Sequence, residues 1–191
     1  MNRVRSICRH LRPAEASAKA PSAYNATRAD AKIRKETVCV LGAGSFGSAV
    51  AHVLAQSNVA ERVNLWARRA SVATEINDKH TNRQYTGSHK FPSNVWATSS
   101  LTDALKGASC VCVAIPSAFL APILDEIATK HLTSMAPDVV FVSLVKSLHL
   151  HGRSLITMCT EISAKLAPGT PVLALMGPNI YTEMLQDKVC A

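Results

Sequence analysis

The 191-residue sequence lacks any apolar run close to the roughly 20 residues that a membrane-spanning helix needs. It also lacks a solenoid repeat, and no long low-complexity segment follows its first 36 residues. Hydrophobic residues nevertheless make up 48% of the chain. These features predict a soluble protein with no membrane span and one domain with a sizeable core, in a chain long enough to carry an appendage as well.

The six cysteines contain no Cys-x-x-Cys pair, and nothing in their spacing implies a disulfide framework. Cys39, Cys110 and Cys112 fall inside strand-like runs, where we expect them to act as small buried hydrophobes. His149 and His151 could present two imidazoles to a metal, but no further ligands follow at a suitable spacing. We therefore expect no metal site, and we expect both histidines to lie solvated in a loop after a strand.

Acidic residues are scarce at the start of the chain. Residues 1–36 hold nine Lys/Arg and three Asp/Glu, and residues 37–191 hold twelve and ten. The formal net charge of +8 therefore belongs mostly to the leader, and the nearly neutral body argues against a nucleic-acid partner. The leader is rich in Arg, Ala and Ser and lacks the apolar core of a secretory signal. It suits either an organellar transit peptide or a disordered basic tail, so the predicted compartment is cytoplasmic, or mitochondrial or plastid if the leader is a transit peptide.

The stretch TVCVLGAGSFGSAVAHVLAQS, residues 37–57, joins a short apolar run to a helical pattern through three glycines spaced G-x-G-x-x-G. Gly42 permits a sharp turn, Gly44 lets a ligand approach the backbone, and Gly47 lets helix and strand pack closely. The helix that follows starts with free N–H groups and a partial positive charge. A strand, this turn and a helix together predict a pyrophosphate site, whereas a tight turn without a ligand is the plainer alternative.

Apolar runs and helical patterns alternate along the rest of the chain. Strands are predicted at 37–41, 63–66, 95–98, 110–115, 139–144 and 172–175, and helices near 45–57, 70–79, 100–106, 117–130 and 153–166. Such alternation favours a parallel sheet covered by helices on both faces. The predicted fold class is α/β: a doubly wound parallel sheet of the Rossmann-like dinucleotide-binding type over residues 37–191, after a leader of 36 residues.

The end of the second predicted strand, VNLWARRA, lacks the acidic residue that often contacts the ribose 2′-hydroxyl of NAD. Arg68 and Arg69 stand there instead. Guanidinium groups can pair with a 2′-phosphate or stack on adenine, so the segment permits NADP without requiring it. Two solvated arginines without a ligand are the alternative.

Five motifs in order resemble the soluble NAD(P)-dependent glycerol-3-phosphate dehydrogenases: GAGSFGSA, LWARR, AIPSAFL, SLVKSL and MGPNIYTEM. The resemblance covers residues 37–191. It implies hydride transfer between NAD or NADP and dihydroxyacetone phosphate or glycerol 3-phosphate, and a homodimer for a full-length enzyme. Two alternatives stay open. One is another two-domain hydroxyacid-type dehydrogenase, such as a hydroxyacyl-CoA or 6-phosphogluconate enzyme, and the other is a non-catalytic nucleotide-binding module.

The resemblance also implies roles for individual residues. Those facing the cofactor would be Gly42, Gly44, Ser45, Phe46, Gly47, Arg68, Arg69, Pro116, Phe119, Lys146 and Tyr181. The substrate side would consist of Lys146, Gly177 and Asn179, and Lys146 is the candidate catalytic residue, because an ammonium there could polarise a carbonyl or neutralise a phosphate.

The sequence departs from the family pattern in two places. Ser147 stands where the family usually has glycine after the lysine. The helical second domain, which in the family carries the proton donor and the phosphate-binding residues, would lie beyond residue 191. The expectation is therefore a truncated chain that binds the cofactor and shows little or no turnover alone.

Overall fold

A six-stranded sheet forms the centre of the described part of the chain. The computed structural model describes residues 36–188, except for positions 58, 146, 147, 152, 153 and 178. The strands of the sheet are β1 (Glu36–Leu41), β2 (Ala60–Trp66), β3 (Val95–Thr98), β4 (Cys110–Val113), β5 (Val140–Ser143) and β8 (Val172–Ala174). A separate hairpin is formed by β6 (Leu148–His151) and β7 (Ser154–Thr157).

Helices connect the strands. They are α1 (Ser45–Gln56), α2 (Ala70–Lys79), α3 (Arg83–Thr86), α4 (Leu101–Leu105), α5 (Leu120–Glu126), α6 (Met158–Lys165) and α7 (Tyr181–Met184), with a 3₁₀ turn at Ser117–Phe119, a π turn at Ile127–His131 and a second 3₁₀ turn at Leu132–Ser134. Among the described residues, none of these helices has the length and apolar character that crossing a membrane requires.

The sheet is parallel throughout, in the order β3-β2-β1-β4-β5-β8. Strand β1 lies between β2 and β4, so that Val40 pairs with Leu65 on one side and with Cys112 on the other. The strand order reverses between β1 and β4, and ligands of such sheets bind beyond the carboxyl ends of the strands at this reversal. The predicted fold class and all six predicted strands are confirmed.

Both faces of β1 are buried, which explains why its sequence is a continuous apolar run rather than an alternating one. Cys39 and Leu41 join the core on one face together with Phe141. Val38 and Val40 join the core on the other face. Each face of the strand therefore contributes to a separate helix-covered layer.

The expected burial of cysteines inside strands is borne out. Cys39 and Cys112 are buried, Cys110 is half-buried, and all three are free thiols. Burial raises the pKa of the Cys39 thiol far above its usual range, with a smaller contribution from the neighbouring Cys110. This thiol is therefore held in its neutral, unreactive form.

The hairpin corrects two predictions. His149 and His151 belong to β6 rather than to a loop, and residues 154–157, predicted as the start of a helix, form β7. The helix α6 begins only at Met158. Cross-strand pairing of Leu148 with Thr157 and of His151 with Ser154 supplies hydrogen bonds that the local helical pattern cannot reveal.

Candidate functional site

The glycine turn, residues 42–47, follows β1 and is enforced sterically at two positions. Gly42 has φ of +114°, and a Cβ there would come within 2.8 Å of the Ala114 carbonyl oxygen. A Cβ on Gly47 would lie 1.9 Å from the Gly42 carbonyl oxygen, which no side chain can tolerate. Both positions therefore require glycine, and the close packing predicted for Gly47 is confirmed.

Gly44 is different, because its backbone is ordinary and the space beside it is open. It is the N-cap of α1 with φ of −74°, and a Cβ there would meet nothing within 4 Å. The first turn of α1 contains no acidic residue that could neutralise the positive end of the helix. The turn thus presents an accessible backbone and an uncompensated helix N-terminus, which suits a phosphate group.

Arg68 and Phe119 meet although they are distant in the sequence. Arg68 follows β2 and Phe119 follows β4, the two strands that flank β1. The guanidinium carbon of Arg68 lies 5.3 Å from the centroid of the Phe119 ring, within the range of a cation–π contact. Both side chains are exposed, so they form a cationic and aromatic edge accessible to a ligand. Pro116 is the N-cap of the 3₁₀ turn that carries Phe119.

Arg69 has a different partner from Arg68. Its guanidinium donates a hydrogen bond to the side-chain oxygen of Gln84 in α3. Ser45, in the glycine turn, also contacts this segment, because its hydroxyl donates to the Tyr85 carbonyl over 3.1 Å. The two adjacent arginines therefore have different surroundings, and the segment that contains α3 borders the glycine turn.

An open cleft of about 480 Å³ lies beside the glycine turn. It is lined by Ser45, Phe46, Leu144, Asn179, Ile180 and Tyr181. Asn179 is positioned by a backbone bond from its N–H to the Gly177 carbonyl over 2.9 Å. The structure therefore brings three predicted cofactor-side residues, Ser45, Phe46 and Tyr181, together with one predicted substrate-side residue, Asn179.

Lys146, the candidate catalytic residue, lies outside the described residues. Leu144, two positions earlier in the sequence, is buried, and its N–H donates to the Val113 carbonyl over 3.0 Å. The role of Lys146 stays a prediction. Within the described part of the chain, no cluster of three or more His, Cys, Asp or Glu side chains could hold a metal ion.

A family model described as the N-terminus of NAD-dependent glycerol-3-phosphate dehydrogenase matches residues 37–191. The chain belongs to this family.

Curated relatives and solved structures agree with the family model. A glycerol-3-phosphate dehydrogenase [NAD(P)+] of Alcanivorax borkumensis is 36% identical over 155 residues, covering 81% of this chain and 42% of the relative. A chloroplastic glycerol-3-phosphate dehydrogenase [NAD(+)] of rice is 35% identical, covering 83% of this chain and 35% of the relative. The glycerol-3-phosphate dehydrogenase structure from Saccharomyces cerevisiae superimposes with a TM-score of 0.71 at 25% identity, over 81% of this chain and 45% of that one. The chain thus spans less than half the length of these relatives.

Membership in the glycerol-3-phosphate dehydrogenase family confirms the resemblance drawn from the five motifs, but it does not test individual residues. Sequence reasoning missed Leu144 and Ile180 in the cleft, and it assigned no role to the segment TNRQYTGSHKFPSN, residues 81–94. That segment contains Asn82, a residue type favoured at helix N-caps, just before the short helix α3. This signal could have located α3, although not the contacts of Asn82.

A pair of histidines, His52 of α1 and His89 after α3, lies next to Asp187. The Nε2 of His89 and the Nδ1 of His52 are 3.0 Å apart, and His52 Nε2 lies 3.4 Å from an Asp187 carboxylate oxygen. Burial and the neighbouring His52 lower the pKa of His89, against an opposing effect of Asp187. The pair couples α1 to the segment after α2 and to the residues after α7.

Proposed function

We propose that the chain binds NAD or NADP through the glycine turn and serves as the cofactor-binding part of a glycerol-3-phosphate dehydrogenase. The observation that carries the proposal is the open space beside Gly44, at the N-terminus of a helix, where the sheet order reverses. The names of the relatives, which are NAD(P)- or NAD-dependent enzymes, support the same cofactor class.

The residues around the turn have complementary roles in this proposal. The backbone of Gly42, Gly44 and Gly47, with Ser45 and Phe46, faces the pyrophosphate. Arg68 and Phe119 form the adenosine side, because a guanidinium can pair with a 2′-phosphate and an exposed ring can border the cleft. Pro116 holds the turn that carries Phe119, and Arg69 supports the edge through Gln84.

The substrate side lies at the cleft. A bound nicotinamide dinucleotide would supply the hydride that reduces dihydroxyacetone phosphate to glycerol 3-phosphate. Tyr181 and Asn179 line the cleft and would contact the nicotinamide and the substrate, with Gly177 fixing the backbone of Asn179. Lys146 would neutralise the phosphate or polarise the carbonyl.

Steady-state reduction of dihydroxyacetone phosphate by NADH or NADPH tests this activity. No carboxylate, imidazole or ammonium group lines the cleft within the described part of the chain. General acid catalysis typically contributes about 10²–10⁴-fold, so we expect cofactor binding with little or no turnover by the 191-residue chain. Robust turnover that is lost in Lys146→Met would instead show that the chain contains its own electrostatic catalyst. A chain that binds neither cofactor would refute the proposal.

The proposal extends to the assembly and the compartment of the enzyme. The family resemblance supports a homodimer for a full-length enzyme, and the nearly neutral charge of residues 37–191 argues against a nucleic-acid partner. The relatives include enzymes named chloroplastic, and the basic leader has the composition of a transit peptide. A fluorescent reporter fused to residues 1–36 would enter an organelle if this reading is right, and diffuse cytosolic signal would reject it.

A further inference from the structure

Asn82 ties the segment after α2 to the glycine turn. The residue is fully buried. Its Nδ2 donates to the Ala43 carbonyl oxygen over 2.9 Å and to the Ser48 hydroxyl oxygen over 3.0 Å. Ala43 lies inside the turn, and Ser48 lies in the first turn of α1. One side-chain amide therefore joins the backbone of the turn to the start of the helix.

The orientation of this amide follows from its partners. A backbone carbonyl can only accept a hydrogen bond, so the nitrogen of the Asn82 amide, and not its oxygen, must face Ala43. The Asn82 Oδ1 is buried and has no hydrogen-bond partner within the described part of the chain. Burying an unpartnered amide oxygen is costly, and Asn82 does not use its side chain to cap α3. The side chain is thus committed to the glycine turn.

The segment that carries Asn82 is itself held firmly. The Asn82 carbonyl accepts from the N–H groups of Tyr85 and Thr86 over 3.0 and 2.8 Å. The Arg83 N–H donates to a Glu75 carboxylate oxygen over 2.9 Å. The Asn82 carbonyl and the Arg83 N–H belong to one peptide unit, so these bonds fix the backbone on the C-terminal side of Asn82 and help its amide to hold Ala43 in place.

Holding the Ala43 carbonyl also aims the next N–H group. The carbonyl of Ala43 and the N–H of Gly44 belong to one planar trans peptide unit, in which the two groups point in opposite directions. With the carbonyl drawn toward Asn82, the Gly44 N–H points away from Asn82. A peptide plane free to rotate would lose that alignment part of the time.

We propose that Asn82 is a positioning residue for dinucleotide binding, which acts through Ala43 by fixing the Gly44 N–H toward the pyrophosphate site. This inference rests on the proposed function. Asn82 itself touches no ligand in this account, and its effect is on the preorganisation of the turn.

NADH titration of purified variants tests the inference. Asn82→Ala removes both donated bonds, and Asn82→Asp removes the donors while keeping the size of the side chain. We expect both variants to bind NADH about tenfold more weakly than the wild type. Ser48→Ala removes only the second partner, and its affinity should stay within threefold of the wild type.

Asn77→Ala is the matched control. The Asn77 side chain also joins two segments, because its Nδ2 donates to the Ala97 carbonyl and its Oδ1 accepts from the Ala97 N–H, both over 2.8 Å. Its loss should lower the thermal transition as Asn82→Ala does, while NADH affinity stays within twofold of the wild type.

The outcomes separate the inference from the function on which it rests. If the wild type does not bind NADH, the proposed function fails and the inference fails with it. If the wild type binds but a folded Asn82→Asp binds equally well, the inference alone is overturned. If Asn77→Ala lost as much NADH affinity as Asn82→Ala, the effect of Asn82 would be explained by general stabilisation of the fold, and the inference would be overturned. Asn82→Asp decides the matter if Asn82→Ala does not fold.

Discussion

The turns that follow β1 and β8 lie at the same edge of the sheet and contribute to the same cleft, yet they are built differently. The glycine turn is enforced by contacts of 2.8 and 1.9 Å that exclude side chains at Gly42 and Gly47. The region after β8 follows a three-residue strand and leaves Met176 70% and Ile180 50% exposed. The cofactor side is therefore closely packed at its glycines, whereas the other side leaves large apolar side chains exposed.

Of the predicted effects, the largest is the loss of stability caused by Gly47→Ala. This substitution places a side chain in the closely packed glycine turn. A Cβ at this position meets the Gly42 carbonyl at 1.9 Å, and the obstructing atom is backbone. Overpacking of this kind should cost about 3 kcal/mol or more. Urea unfolding measures the loss. The control is Gly44→Ala, which faces open space and should change the free energy of unfolding by about 1 kcal/mol at most.

The next largest effect is expected for Arg68→Ala, which should shift cofactor selectivity from NADPH toward NADH. A charge-assisted contact to a phosphate is worth roughly 1.5–3 kcal/mol, so the affinity for NADPH relative to NADH should fall about tenfold or more. Arg69→Ala should change the ratio less, because that guanidinium is engaged by Gln84. Titrations with both cofactors give the ratios. Unchanged ratios in the Arg68→Ala/Arg69→Ala double variant would count against phosphate recognition at this edge.

Met176→Ser tests whether the exposed apolar region after β8 mediates self-association of the chain. Exposed apolar surface of this kind favours association, so the substitution should weaken self-association of the 191-residue chain in sedimentation velocity. Val59→Ser, another exposed apolar residue placed just before β2, is the control and should leave association unchanged. Equal behaviour of the two variants would show that the region after β8 is not the associating surface.

The smallest effect concerns pH, through the histidine pair that couples α1 to the segment after α2 and to the residues after α7. The pKa of His89 is lower in the folded protein than its ordinary value. In the interval between the two values the unfolded chain binds more protons, so stability rises with pH there. This stability is fully present above about pH 6.5 and is lost as the pH falls toward the folded value.

Thermal unfolding from pH 7.5 down to 5.5 tests the assignment of this effect. His89→Gln should flatten the profile, since the titrating group is gone. Asp187→Asn should steepen it, because the Asp187 carboxylate raises the pKa of His89. His52, which faces the same group, stays in place in both variants. A profile with the same slope in His89→Gln and the wild type would place the effect elsewhere.

The sequence predicted the parallel sheet and the glycine turn well because local pattern determines both. Apolar runs such as Val38–Leu41 are continuous since both faces of β1 are buried, and G-x-G-x-x-G between strand and helix leaves few alternatives. The hairpin of β6 and β7 was missed because its stability comes from cross-strand pairing. Alternating apolar residues and histidines over Leu148–His151, followed by Gly152, were the available hairpin signal.

The candidate site was predicted less completely, because its contacts join distant parts of the chain. The meeting of Arg68 with Phe119 depends on the order of β2, β1 and β4. The bond from Asn82 to Ala43 spans 39 residues. No local pattern encodes either contact, whereas the residue types themselves were visible in the sequence.

NADH titration of the wild type beside Gly44→Val tests the central claim most directly. Valine at this position is sterically compatible with the fold, since the backbone is extended and nothing lies within 4 Å of the added Cβ. The account predicts saturable binding by the wild type and at least a tenfold loss in Gly44→Val, with a thermal transition close to that of Gly44→Ala. A folded Gly44→Val that binds NADH as tightly as the wild type would contradict it.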